Sequence, residues 1–165
     1  MLQNKKFYDL INMDKCHLII DNHLIAVTYI YFIRANLLSC EYSMINFFVF
    51  LFIAHEMEED EDEIKYEIFQ WALDEKWKKK IESFILKKEK MVERLNYDLF
   101  VNKETVKECL DLIAKFTKIK LFRSPDHTGS LQLQSDENSS KNLYDKNKDC
   151  LFCVWKKSQS KSCFK

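Results

Sequence analysis

The strongest chemical signal in the sequence is an acidic run, Glu56-Met57-Glu58-Glu59-Asp60-Glu61-Asp62-Glu63. As continuous helix it would set Glu56 against Asp60, Glu58 against Asp62 and Glu59 against Glu63. Each like-charge pair four residues apart costs about 0.2–0.5 kcal/mol. As a loop feeding the next helix the run fares better, because carboxylates suit the positive end of a helix. Asp60 and Glu63 have the spacing of a capping box, with Asp in place of Ser or Thr. Two uses fit: a solvated turn that starts a helix, or a receptor for a partner's arginine cluster, which would relieve the repulsion. Calcium is not expected, since an EF-hand loop turns on a mid-loop glycine and none is present.

Other candidate chemistry is weaker. Lys76, Lys78, Lys79, Lys80, Lys87, Lys88 and Lys90 form a basic stripe opposite Ile81, Phe84 and Ile85. A solvated helix face is the expectation there, in preference to nucleic-acid contact. His55-Glu56 begins like a metalloprotease helix, but the second histidine would fall at position 59, which is Glu59. His17 and His23 read as polar boundary residues near a helix entrance. Cys150-Leu151-Phe152-Cys153 has zinc spacing without a second pair. Completing it would require Cys163 and His127 to fold onto it, so no metal and no cofactor are expected. Phosphate loops, nucleophile elbows and dinucleotide fingerprints all need glycines. The chain has one, Gly129, so an enzyme is not expected.

The elements that must carry these residues are helices. With one glycine and one proline (Pro125) in 165 residues, hairpins and sheet-rich folds are excluded. Apolar residues at 47% supply a packed core. The 26 basic and 26 acidic residues balance, which gives no bulk attraction to nucleic acid or an acidic membrane. Residues 7–16 read as a short opening helix. Asp21 and Asn22 can cap the next, which runs to about Ala35 and is apolar nearly all round. Glu41–His55 behaves the same way, and such helices must be surrounded by others. Its longest apolar stretch, Met44–Ala54, is too short to span a membrane. From Ile64 the pattern turns amphipathic, through Ile68, Trp71 and Ala72 and on to Leu95. A last helix follows its cap Asn102. After Arg123 the text is too polar to fold alone. The expected organisation is an all-α, compact bundle of about five helices over residues 1–123, with a poorly ordered tail over 124–165. Met1–Tyr8 is polar and mixed, unlike a secretory leader. The six cysteines are therefore expected as free thiols in a reducing compartment.

Five strings together resemble the Speedy/Ringo family of atypical activators of cyclin-dependent kinases. They are Met13-Asp14-Lys15-Cys16, Tyr31-Phe32-Ile33-Arg34-Ala35, Ile45-Asn46-Phe47-Phe48, Glu58-Glu59-Asp60-Glu61-Asp62-Glu63 and Lys65-Tyr66-Glu67-Ile68-Phe69-Gln70-Trp71-Ala72-Leu73. They stand in the family's order and spacing from about residue 7 to residue 100. The Cys-x-x-Cys and following lysines at Cys150–Lys157 look like a feature of the family's tail. The family commonly has proline where this chain has Gln70, and glycine where it has Asp74. Its double-histidine-Ser-Gly string stands here as Asp126-His127-Thr128-Gly129, and residues 101–122 match poorly.

The resemblance implies a cyclin-box-like domain that binds a cell-cycle cyclin-dependent kinase and activates it without activation-segment phosphorylation. In a phosphorylated kinase the phosphate gathers an arginine cluster; an acidic surface supplied in trans would satisfy the same arginines. By resemblance the kinase-binding residues are Asp21, Glu58, Glu59, Asp60, Glu61, Asp62, Glu63 and Trp71. The implied protein is non-enzymatic, monomeric alone, heterodimeric with its kinase, and nuclear with the cytoplasm as a second compartment. It acts in the cell cycle and meiosis, with no nucleic acid or membrane partner. The rival is a cyclin-box-like adaptor that binds a kinase without activating it.

Overall fold

The computed structural model describes residues 4–59, 62–116 and 120–123. The expected tail, with Cys150, Cys153, Cys163 and His127, lies outside them. Six α-helices carry the described residues: α1 (Lys5–Met13), α2 (Asn22–Arg34), α3 (Met44–Glu58), α4 (Asp62–Leu73), α5 (Trp77–Arg94) and α6 (Lys103–Phe116). Single 3₁₀ turns at Ser39–Glu41 and Asp74–Lys76 precede α3 and α5. There is no strand among the described residues, and none of their helices is long and apolar enough to cross a membrane.

Helix α3 is the axis of the bundle. Every residue from Asn46 to His55 is buried, so α3 needs neighbours on all sides. It packs against α2, α4 and α5, and α6 packs on α2. Its phenylalanines face four other helices: Phe47 meets Phe7 of α1 edge-on at 5.6 Å, Phe50 meets Phe32 of α2 at 4.8 Å, and Phe52 closes a triangle with Phe69 of α4 and Phe84 of α5. Edge-to-face pairs of this kind add about 0.5–1.5 kcal/mol beyond the area they bury.

Side-chain caps set the helix starts. Asn4 accepts from Lys6 N, Ser43 from Asn46 N, and the expected caps Asp21 and Asn102 accept from Leu24 N and Thr105 N at 2.8 Å. Helix α1 is displaced from the expected 7–16 because Asn4 starts it and Asp14 ends it. The Asp14 carboxylate turns the chain by accepting from Leu18 N, Ile19 N and Ile20 N at 2.8–2.9 Å. Helix α3 starts three residues later than expected, at the Ser43 cap, and runs three residues further.

With one glycine in the chain, other residues make the left-handed turns. His17, Asn36, Asp74, Asn96 and Tyr97 take φ of 46–60°, and Asn and Asp tolerate that region best among non-glycine residues. Asp74 is the position where the resembled family has glycine. Its φ of 60° is the physical reason a glycine suits it. Gln70 stands in place of proline, and α4 runs unbroken through it.

Several strings that carry the resemblance are fold determinants. Tyr31 is buried and donates its hydroxyl to Leu99 O at 2.7 Å; Arg34 donates to Asp98 O and Phe100 O. Together they hold the α5–α6 loop against α2. Ala35 O receives Arg94 Nε at 2.8 Å, while the Arg94 fork reaches Asn36 O and Glu41. Asn46, buried at the start of α3, donates to Glu41 O.

Candidate functional site

The acidic run is divided by the fold. Glu56, Met57 and Glu58 form the last turn of α3, Glu59 is extended (φ −117°, ψ 133°), and α4 starts at Asp62. Breaking the helix at Glu59 keeps Glu56, Glu58 and Glu59 from forming the like-charge ladder that continuous helix would impose. Asp60, Glu61 and the Asp62 side chain lie outside the described residues, and so does the expected Asp60–Glu63 capping box. Glu63 is exposed on the first turn of α4.

Carboxylates at the negative end of α3 oppose its dipole, and the surrounding elements answer with cations. Glu56 receives Lys88 Nζ at 3.1 Å and lies 4.0 Å from Lys65. The basic stripe of α5 thus spends Lys88 within the fold, as it does Lys80, which donates to Leu73 O. Glu58 Oε2 sits 2.9 Å from His23 Nε2 in the first turn of α2. The Glu58 bond raises the His23 pKa above its ordinary value, against burial. Contrary to a solvated turn, Glu58 and Glu59 are largely covered, with side chains 14% and 15% exposed.

Asp21 joins them from the start of α2. One of its oxygens caps the helix at Leu24 N; the other lies 3.2 Å from Arg123 Nη2. The same guanidinium is bidentate on Glu59, Nη1 to Oε2 at 2.8 Å and Nη2 to Oε1 at 2.6 Å. Fork-on-carboxylate geometry of this kind is among the strongest hydrogen bonding available to side chains. Burial pushes the Asp21 carboxyl above its usual range even though Arg123 pulls it down. Its negative charge is under-compensated in the free chain.

The fold therefore brings Asp21, Glu58 and Glu59 together where α2 begins and α3 ends. Trp71 is not among them. It lies nine residues, about 13 Å, along α4 from Asp62, in an open hollow of about 510 Å³ shared with Asn4, Lys5, Lys6, Asp9, Gln70 and Asp74. Lys6 and Asp74 pair across that hollow at 2.6 Å.

The sequence reading missed three polar residues beneath the site. Asp14 shapes the 18–20 stretch that leads into Asp21. His55, almost fully buried, bonds Ile19 O through Nε2 at 2.7 Å. Burial lowers its pKa to about 4, so the ring is neutral at pH 7. Arg123, 102 residues from Asp21 in the chain, is the third, and no local spacing signals it. Among the described residues no group of three or more His, Cys, Asp or Glu could hold a metal ion.

Residues 1–120 match the family model for Spy1, described as a cell cycle regulatory protein. Speedy protein A of Rattus norvegicus is 36% identical over 122 residues, covering 74% of this chain and 39% of the relative. Speedy protein C of Homo sapiens is 31% identical over 110 residues, 67% of this chain and 40% of the relative. Human Speedy protein E21 is 41% identical over 58 residues, 35% of this chain and 14% of the relative. The chain thus spans about two fifths of the length of the first two relatives.

Proposed function

The chain belongs to the Speedy family of cell cycle regulatory proteins, and from that premise we propose that it binds a cell-cycle cyclin-dependent kinase and activates it without activation-segment phosphorylation. The role is regulatory: the chain acts by binding, as a monomer that forms a heterodimer with the kinase, in the nucleus. The observation that carries this reading is the convergence of Asp21, Glu58 and Glu59, of which Asp21 and Glu59 already hold a guanidinium in the free chain. A surface that grips one arginine has the chemistry to grip a kinase's arginine cluster. The raised Asp21 pKa agrees, since a further cation would relieve an under-compensated carboxylate. Asp60, Glu61, Asp62 and Glu63 follow directly in the chain and are assigned to the same contact. Trp71 is assigned a separate contact at the far end of α4.

The test is to mix the chain with a kinase lacking its activating phosphate, then measure co-elution and phosphate transfer to histone. A variant carrying Glu58→Gln, Glu59→Gln and Asp60→Asn keeps side-chain shape and removes three charges. It is expected to retain its helical circular dichroism and to lose at least about tenfold in kinase activation, or about 1.4 kcal/mol of coupling. Full activation by that folded variant would reject charge mimicry. The adaptor reading is favoured by one observation, that Asp21 and Glu59 are already paired with Arg123; co-elution without phosphate transfer would establish it.

A further inference from the structure

Arg123 does not reach the acidic site alone. It belongs to the segment Lys120–Arg123, which has no regular secondary structure and is seated along the start of α2. Asn22 N donates to Leu121 O and Leu121 N donates to Asn22 Oδ1, both at 3.0 Å. The Leu121 side chain is buried, 5% exposed, and joins the core; Phe122 points outward, 51% exposed; the Arg123 side chain is 10% exposed against the acids. The segment thus reads as an anchored peptide: an apolar residue in a pocket, a two-way backbone clasp, and an arginine two residues on, in the carboxylates.

Every oxygen of the Asp21–Glu59 pair is occupied in this arrangement. Leu24 N and Arg123 take the two of Asp21, and Arg123 takes both of Glu59. With the Asp21 and Glu59 side chains only 13% and 15% exposed beneath Arg123, an incoming guanidinium reaches them by displacing it. We propose that the Leu121–Arg123 segment is an in-chain stand-in for the partner's arginine, so that partner binding at Asp21 and Glu59 is an exchange in which this segment leaves. The site is then a receptor for an apolar-x-Arg segment, filled in cis in the free chain. This rests on the reading of the acidic site as the kinase-binding surface.

Exchange has a quantitative signature. A tethered segment acts at an effective concentration of order mM, and a partner that needs the site open sees its affinity reduced by the open fraction. If the segment is seated about nine-tenths of the time, its removal tightens partner binding about tenfold. A retained clamp that merely holds the acids in place predicts the opposite sign.

The experiment uses the full chain, wild type, Arg123→Lys and Arg123→Ala, each checked for helical circular dichroism. Two readouts are taken. The first is affinity for a cell-cycle cyclin-dependent kinase lacking its activating phosphate. The expected order is Arg123→Ala tightest, wild type weakest, and Arg123→Lys between, because lysine keeps the charge and loses the fork. Equal or weaker binding by Arg123→Ala overturns the exchange. The second needs no kinase: hydrogen exchange at the Leu121 amide of the wild-type chain with an excess of the peptide acetyl-Lys-Leu-Phe-Arg-amide. The peptide is expected to speed that exchange severalfold by displacing the segment, and an unchanged rate overturns the receptor. Displacement by the peptide together with no binding of any kinase supports the receptor while rejecting the proposed function.

Discussion

Replacing Asp14 with alanine tests the architecture on which the acidic site stands. The carboxylate is 8% exposed and accepts three backbone N–H groups, from Leu18 at 2.9 Å, Ile19 at 2.8 Å and Ile20 at 2.9 Å. No regular structure supplies those donors with other partners. The Leu18 and Ile20 bonds are buried, whereas the Ile19 bond is only partly so. Alanine leaves two buried donors unsatisfied at about 1–3 kcal/mol each, with water able to serve the third. Against that stands relief from burying a carboxylate, since burial already raises the Asp14 pKa above its ordinary value. The net expectation is a loss of about 3 kcal/mol, a large share of the 5–15 kcal/mol typical of a domain. Asp14→Asn keeps one acceptor oxygen and turns an amide donor toward the remaining N–H groups, so it falls between alanine and wild type. Urea unfolding at pH 7, followed by circular dichroism, measures all three with a common slope. If Asp14→Ala unfolds within about 0.5 kcal/mol of wild type, water or a rearranged turn satisfies those donors, and the carboxylate does not organise the approach to Asp21.

Two further expectations concern stability. His55 titrates from an unfolded value of 6.5 to about 4 in the fold. Its contribution is therefore fully present above pH 6.5 and lost as pH falls through about 4, a loss of about 3 kcal/mol at about 1.36 kcal/mol per pH unit. Comparing urea midpoints of wild type and His55→Gln across that window isolates it from His23, whose raised pKa contributes below pH 6.5 and fades as pH rises; equal pH slopes would reject it. Arg94→Ala removes the clasp on Ala35 O and Asn36 O together with the Glu41 pair. The side chain is 34% exposed, so thermal melts should show a loss of only about 1–2 kcal/mol, and an unshifted midpoint would mean the loop holds without it.

Much of the fold was legible because its signals are local. An unbroken, glycine-free, apolar-all-round segment such as Phe47–Ala54 has few alternatives to a buried helix, and the caps Asp21 and Asn102 stand directly before the helices they start. The departure at Asp74 was visible as a missing glycine, and its φ of 60° gave that departure a backbone meaning. The candidate site was half legible. Composition marks the acids, yet their partners His23, Lys88 and Arg123 lie 35, 32 and 64 residues away from the acids they bind. Pairing across such separations follows from helix packing and leaves no periodic trace in sequence. Asp14 was missed for the converse reason: a single carboxylate beside a turn looks like any surface acid until its three donors are in view.

The sealed interior of α3 also governs what happens when the chain is open. Phe47-Phe48-Val49-Phe50-Leu51-Phe52-Ile53 is a seven-residue window with no charge, proline or glycine, the composition of a steric-zipper segment. In the native bundle each of these residues is hidden and hydrogen-bonded as helix. In the unfolded chain they become a strand-forming adhesive, flanked by Asn46 on one side and by His55 and Glu56 on the other as its only polar gatekeepers. Heat therefore converts the protein's best packing into its chief aggregation hazard. Thermal inactivation is governed by how fast α3 is uncovered, and soluble recovery from denaturant by how dilute the chain is while α2, α4 and α5 close around it.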